Sequence, residues 1–84
     1  MKNFSYTTMW TCSRQINFSL DENNNIHNVE FIGGCNGNLQ GISKLVEGQN
    51  AKAIIEKCQG IHCGMRPTSC PDQLATALTE AMNK

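Results

Sequence analysis

Between Thr8 and Leu20 the even positions read Thr, Trp, Cys, Arg, Ile, Phe, Leu, and the odd ones Met, Thr, Ser, Gln, Asn, Ser. This alternation, with one apolar face broken only at Arg14, predicts one long bent strand or two short ones meeting near Ser13-Arg14. Asp21-Glu22-Asn23-Asn24-Asn25 is turn chemistry, because Asn and Asp tolerate left-handed backbone and hydrogen-bond their own chain. Ile26 to Ile32 then returns as a strand, which predicts an antiparallel hairpin. Gly33-Gly34 ends it, and from Asn38 the period becomes helical. Leu39, Ile42, Leu45 and Val46 share one predicted face, closed by Gly48. Ala51, Ile54, Ile55 and Cys58 form a second helical stripe with Gly60 as its stop. After a glycine-containing loop, Pro71 opens a third helix with Leu74, Ala75, Leu78, Ala81 and Met82 on one face. Proline suits the first helical position, where its missing N–H would have had no partner. The expected architecture is α+β: a small antiparallel sheet, hairpin first, packed against three C-terminal helices in a single domain over residues 1–84.

The chain has 84 residues, with 7 Lys+Arg against 7 Asp+Glu, so the formal net charge is zero. That balance argues against a protein held on DNA or RNA by phosphate attraction, and against an acidic solvating tail. No apolar run approaches the roughly 20 residues that span a bilayer. The opening Met1 to Tyr6 lacks the apolar stretch of a secretory signal, which sets the expectation of a cytoplasmic protein without membrane attachment. So short a chain has a limited core, and staples or oligomerisation often help. The edge strand of so small a sheet makes a homodimer one expectation.

Five cysteines among 84 residues are the informative excess. Their odd number, with no sign of export, favours a metal site or reactive thiols over a disulfide framework. With Pro71 at the first helical position, Cys70 is expected at the N-cap, where unpaired N–H groups and the helix dipole suit an anionic sulfur. The alternative is that Cys70 merely caps the helix. Cys35 lies in Gly33-Gly34-Cys35-Asn36-Gly37-Asn38, whose glycines let backbone N–H groups converge, either around the sulfur or as an ordinary strand-to-helix turn. That loop lacks the Lys-Ser/Thr ending of a phosphate loop. Cys63, beside His62, lies seven positions before Cys70, a spacing that lets the two share a metal. Cys12 is on an apolar strand face, and Cys58 belongs to the core stripe of its helix. Cys12, Cys35, Cys63 and Cys70 are therefore the candidate metal ligands, since four thiolates are a closed structural zinc complement. Gly34, Asn36, Gly37, Asn38, Ser69 and Asp72 are candidate loop or ligand contacts, with Asp72 also favoured by the first-turn dipole. His27 is expected to be exposed and idle, and Arg14 and Arg66 solvated. No nucleophile, base and orienting carboxylate can be assembled from the sequence.

Thr68-Ser69-Cys70-Pro71-Asp72 is the string that names the TSCPD-domain family. Cys12-Ser13, Val29-Glu30-Phe31-Ile32-Gly33-Gly34-Cys35-Asn36-Gly37-Asn38-Leu39, Leu45-Val46-Glu47-Gly48 and Gly60-Ile61-His62-Cys63-Gly64 follow in that family's order. The chain resembles the short stand-alone branch of the family over nearly its whole length. It is also similar to the C-terminal domain of adenosylcobalamin-dependent ribonucleotide reductases, which implies an association with ribonucleoside-diphosphate reduction and DNA synthesis. A ribonucleotide reductase needs a radical generator and a scaffold of several hundred residues, so an accessory module is what the resemblance supports. A fainter likeness, from Val29 to Gly48, is to NifU-type iron–sulfur scaffold proteins, whose three cysteines bind zinc or a cluster.

The leading expectation is a module, not catalytic alone, that binds Zn²⁺ or a partner protein such as a ribonucleotide reductase. The alternatives are a thiol-redox accessory cycling Cys63 and Cys70, and an iron–sulfur scaffold or carrier. Nucleotide binding by the Gly33 to Asn38 loop ranks last.

Overall fold

The computed structural model describes residues 1–8, 13–33, 36–61 and 68–83. Three strands, β1 (Lys2–Thr7), β2 (Ser13–Leu20) and β3 (Ile26–Gly33), precede three helices, α1 (Asn36–Val46), α2 (Ala51–Cys58) and α3 (Cys70–Met82). The sheet is antiparallel in the order β1-β2-β3. This is the α+β architecture expected from the sequence, with one boundary corrected. The first strand is not part of the stretch from Thr8 onward but lies before it, where Phe4 and Tyr6 turn to the core and Ser5 turns out. Its alternation is only two aromatics long, which is why it is easily passed over beside the longer apolar run of β2.

Side chains of β2 obey the period of two: Ile16, Phe18 and Leu20 are buried, and Arg14 is exposed. Phe4 and Phe18, paired across β1 and β2, stack with ring centroids 5.4 Å apart. On the opposite face Ser5, Gln15, Asn17 and Glu30 form a hydrogen-bonded row, with Ser5 Oγ donating to Asn17 Oδ1 at 2.6 Å. That face therefore needs no helix over it.

In β3 the apolar parity changes partway. Ile26 is even, whereas Val29 and Phe31 are odd, yet all three turn inward. The register explains this: Ser19 pairs with His27 and Asn17 with Glu30, so β3 carries one residue more than β2 across that interval. Asn28 takes the extra place with φ +57, a β-bulge built on a residue that tolerates left-handed backbone. The bulged N–H is not left unpaired, because Asn28 N donates to Glu47 Oε1 at 2.8 Å.

Glu47 lies just beyond α1, and its other oxygen meets His27 Nδ1 at 2.9 Å while His27 Nε2 meets Asp21 Oδ2 at 2.9 Å. The expectation that His27 is idle is thus corrected: it bridges the β2–β3 turn to the end of α1. Asp21 Oδ1 also accepts from Asn23 N and Asn25 N, both at 2.9 Å, and Asn24 sits at φ +62, so the turn closes as its residue types require. Gly48, at φ +77, then lets the chain leave α1, and Gly48 N donates to Ile26 O at 2.6 Å.

Helix α3 lies over the central strand, with Leu74 and Leu78 fully buried and Ala75, Ala77 and Ala81 buried beside them. Helix α2, capped by the Asn50 side chain, packs on α3 through Ala51 and Ile54. Helix α1 packs against β3 through Leu39 and Val46. Two expected core positions are corrected: Leu45 is 77% exposed and Met82 is 38% exposed. At about 100° per residue, Leu45 lies well off the arc that holds Leu39, Ile42 and Val46. Met82 is in the last turn of α3, at the rim of a cavity shared with Lys2 and Leu20. Cys58 is half-buried against the core, and burial pushes its thiol pKa up.

Two predictions follow from this packing. Leu78→Ala should cost about 2–5 kcal/mol in denaturant unfolding, as a cavity in a fully buried site does, whereas Leu45→Ala should stay within about 0.5 kcal/mol. The second concerns pH. Only an imidazolium donates from both ring nitrogens at once, and His27 is raised above 6.5, first by its bond to Asp21 and then by that to Glu47. Asp21 is lowered from 3.8 to about 2, chiefly by the same His27 contact. The bridge should therefore stabilise fully below His27's ordinary value and fade as pH rises through the raised one. On the acid side it should persist until pH falls through Asp21's depressed range. Unfolding of the wild type and His27→Gln should differ most near about pH 5 and converge in alkali; a gap independent of pH would contradict this.

Candidate functional site

The Thr68 to Gln73 segment opens α3, and each side chain from Thr68 to Gln73 except Pro71 and Asp72 is buried. Ser69 is extended (φ −148, ψ 170), and its Oγ accepts from Asp72 N at 3.2 Å. The N-cap is therefore Ser69 and not Cys70, which corrects the sequence-based expectation. A hydroxyl oxygen is the better acceptor for an orphan N–H, and its use here moves Cys70 to the first helical position and Pro71 to the second. Cys70 is 8% exposed, and it remains within the first turn, at the positive end of the helix.

Asp72 faces the exit of α2. Its Oδ1 accepts from Gly60 N at 2.7 Å, and its Oδ2 accepts a short hydrogen bond from the Thr68 hydroxyl. Thr68 Oγ1 in turn accepts from Gln73 Nε2 at 3.2 Å. Ser69 Oγ donates to Ile61 O at 2.7 Å, so residues 60–61 are joined to the start of α3 at two points. Gly60, at φ +86, turns the backbone there after the α2 C-cap at Gln59. Tyr6 feels this cluster: its hydroxyl pKa is raised first by burial, then by the charges of Glu80 and Asp72. Thr68 and Gln73 have structural roles that sequence reasoning passed over. The available signal was the Thr68-Ser69 pair just before Pro71, hydroxyls of the kind that bond locally at a helix start.

Of the four candidate ligands, Cys70 lies among the described residues; Cys12, Cys35 and Cys63 lie outside them, as do Gly34, His62 and Arg66. The described neighbours of those cysteines can be located. Ser13, next to Cys12, pairs with Gly33, two residues before Cys35. Ile61, two residues before Cys63, accepts the Ser69 hydrogen bond beside Cys70. The candidate loop contacts Asn36, Gly37 and Asn38 belong to α1, whose first residue is Asn36, so the helix starts two residues earlier than the sequence pattern implied. Gly37 and Asn38 are exposed there.

The orientation of α3 links the two pairs. Its last turn, at Ala81 and Met82, shares a shallow cavity with Met1, Lys2 and Leu20. Its first turn therefore points toward the sheet end where β1 finishes, β2 starts and β3 finishes. Helix α1 begins at that same end, since its far end is tied to Ile26 and His27. Among the described residues no group of three or more His, Cys, Asp or Glu side chains is arranged to hold a metal ion, and no helix is long and apolar enough to cross a membrane.

The family model of the TSCPD domain matches residues 2–82, nearly the whole chain. No curated protein and no solved structure matches the chain.

Replacing the cap tests the local geometry. Ser69→Ala should lower stability by about 1 kcal/mol or somewhat more, because the hydroxyl serves both Asp72 N and Ile61 O.

Proposed function

The chain belongs to the TSCPD domain family, and we propose that it acts as a non-catalytic module in which Cys12, Cys35, Cys63 and Cys70 hold one Zn²⁺. The observation that carries this reading is the pair of close approaches at one end of the fold. Ser13 and Gly33, which pair, lie one residue after Cys12 and two before Cys35; Ile61 and Ser69, which hydrogen-bond, lie two residues before Cys63 and one before Cys70. The donor set fits: four thiolates make a closed tetrahedral complement, and the first turn of α3 offsets the negative charge of the Cys70 sulfur. With no open coordination position, such an ion cross-links segments and activates no water. In a chain this short, that adds to a limited core.

As a partner we propose a ribonucleotide reductase, supported by the likeness of the Gly-Gly-Cys loop and the Ser-Cys-Pro-Asp helix start to the C-terminal domain of the adenosylcobalamin-dependent enzymes. A reducing cytoplasm suits thiolate ligands of this kind.

Elemental analysis of protein purified without chelator should find about one zinc per chain, and a strong chelator should unfold it. Cys12→Ser and Cys70→Ser should lose the metal, while Cys58→Ser keeps it. Metal-free protein that stays folded in chelator would overturn the reading. A Cys63–Cys70 disulfide in that material would favour the redox alternative, and visible absorbance after iron and sulfide reconstitution the iron–sulfur one.

A further inference from the structure

We infer that Asp72 is a positioning residue for the metal centre, a role that rests on the zinc reading and extends it to a residue that binds no metal. Its carboxylate holds two stretches of chain at once, Gly60 on the α2 side and Thr68 on the α3 side. The segment carrying Cys63 starts and ends at those two stretches, and Cys70 is two residues before Asp72. A carboxylate is acceptor-only, so one group satisfies an amide N–H and a hydroxyl O–H together. Gln73 Nε2 donates to Thr68 Oγ1, which leaves the threonine proton for Asp72. The clamp is thus oriented from both sides. In the folded chain it fixes the separation of Gly60 from Thr68, the two residues between which Cys63 lies in sequence, and so lowers the ordering cost met when the ion binds. Outer-shell hydrogen bonds of this kind commonly change metal affinity by about 10–100-fold.

The test separates positioning from stability. Asp72→Asn preserves shape and can still accept from Gly60 N, but it turns an amide NH₂ toward Thr68. Thr68→Val removes the hydroxyl from the other end. Zinc affinity of the full chain, read by competition with a chromophoric chelator, should fall about tenfold in each variant. In the double variant the loss should be less than the product of the two. The Co²⁺-substituted protein supplies a second readout: the visible d–d and sulfur-to-metal bands should shift in the Asp72 and Thr68 variants. They should not shift in Leu78→Ala, which weakens the core away from the clamp. Unchanged zinc affinity and an unchanged cobalt spectrum in Asp72→Asn would overturn the positioning role and leave the zinc reading standing. A wild-type chain that binds neither ion would overturn both.

Discussion

Helix α3 lies across β2 with Leu74 and Leu78 sealed against the cluster that contains Ile16, Phe18 and Leu20. The placement of the remaining elements depends on this contact. It gives a three-stranded sheet a hydrophobic partner, without which so few strands would be marginal in water. It also fixes which way α3 points, and therefore where Cys70 lies relative to the starts and ends of the strands. Helix α2 then packs chiefly on α3, and α1 covers the outer strand β3.

The two ends of this layer are closed by polar contacts of different kinds. At one end an imidazole shared by Asp21 and Glu47, together with the bulged N–H of Asn28, ties the hairpin turn to the close of α1. At the other, Thr68, Ser69 and Asp72 tie the exit of α2 to the entry of α3. Neither closure relies on apolar burial. Each uses a carboxylate to pair backbone N–H groups left over where regular structure stops. The TSCPD string then has a physical reading: threonine and aspartate make the clamp, serine caps, proline suits the helix start, and cysteine is carried into the first turn.

Much of the fold was legible in periodicity. The inward set of β2, the turn at Asp21, the helix stops at Gly48 and Gly60, and the apolar face of α3 from Leu74 to Ala81 all follow from spacing and residue type. What escaped has local and tertiary causes. The bulge at Asn28 changes the parity of β3, and the alternation of Phe4 and Tyr6 is too short to stand out. Ala77 and Gln73 are buried as well, Ala77 beside Phe4 and Phe18 of the sheet and Gln73 against Thr68, tertiary facts that one helical face does not reveal. The role of His27 likewise depends on Glu47, twenty residues away. For the candidate site, the cysteine count pointed to chemistry and the helix start to electrostatics, but the cap belonged to Ser69, where oxygen outcompetes sulfur as an acceptor.

The central claim is that four sulfurs from four segments meet at the end of the fold where α3 begins. X-ray absorption at the zinc edge on protein purified without chelator addresses it most directly. The account predicts a single shell of four sulfur neighbours at about 2.3 Å. A shell containing nitrogen or oxygen, or fewer than four sulfurs, would contradict it.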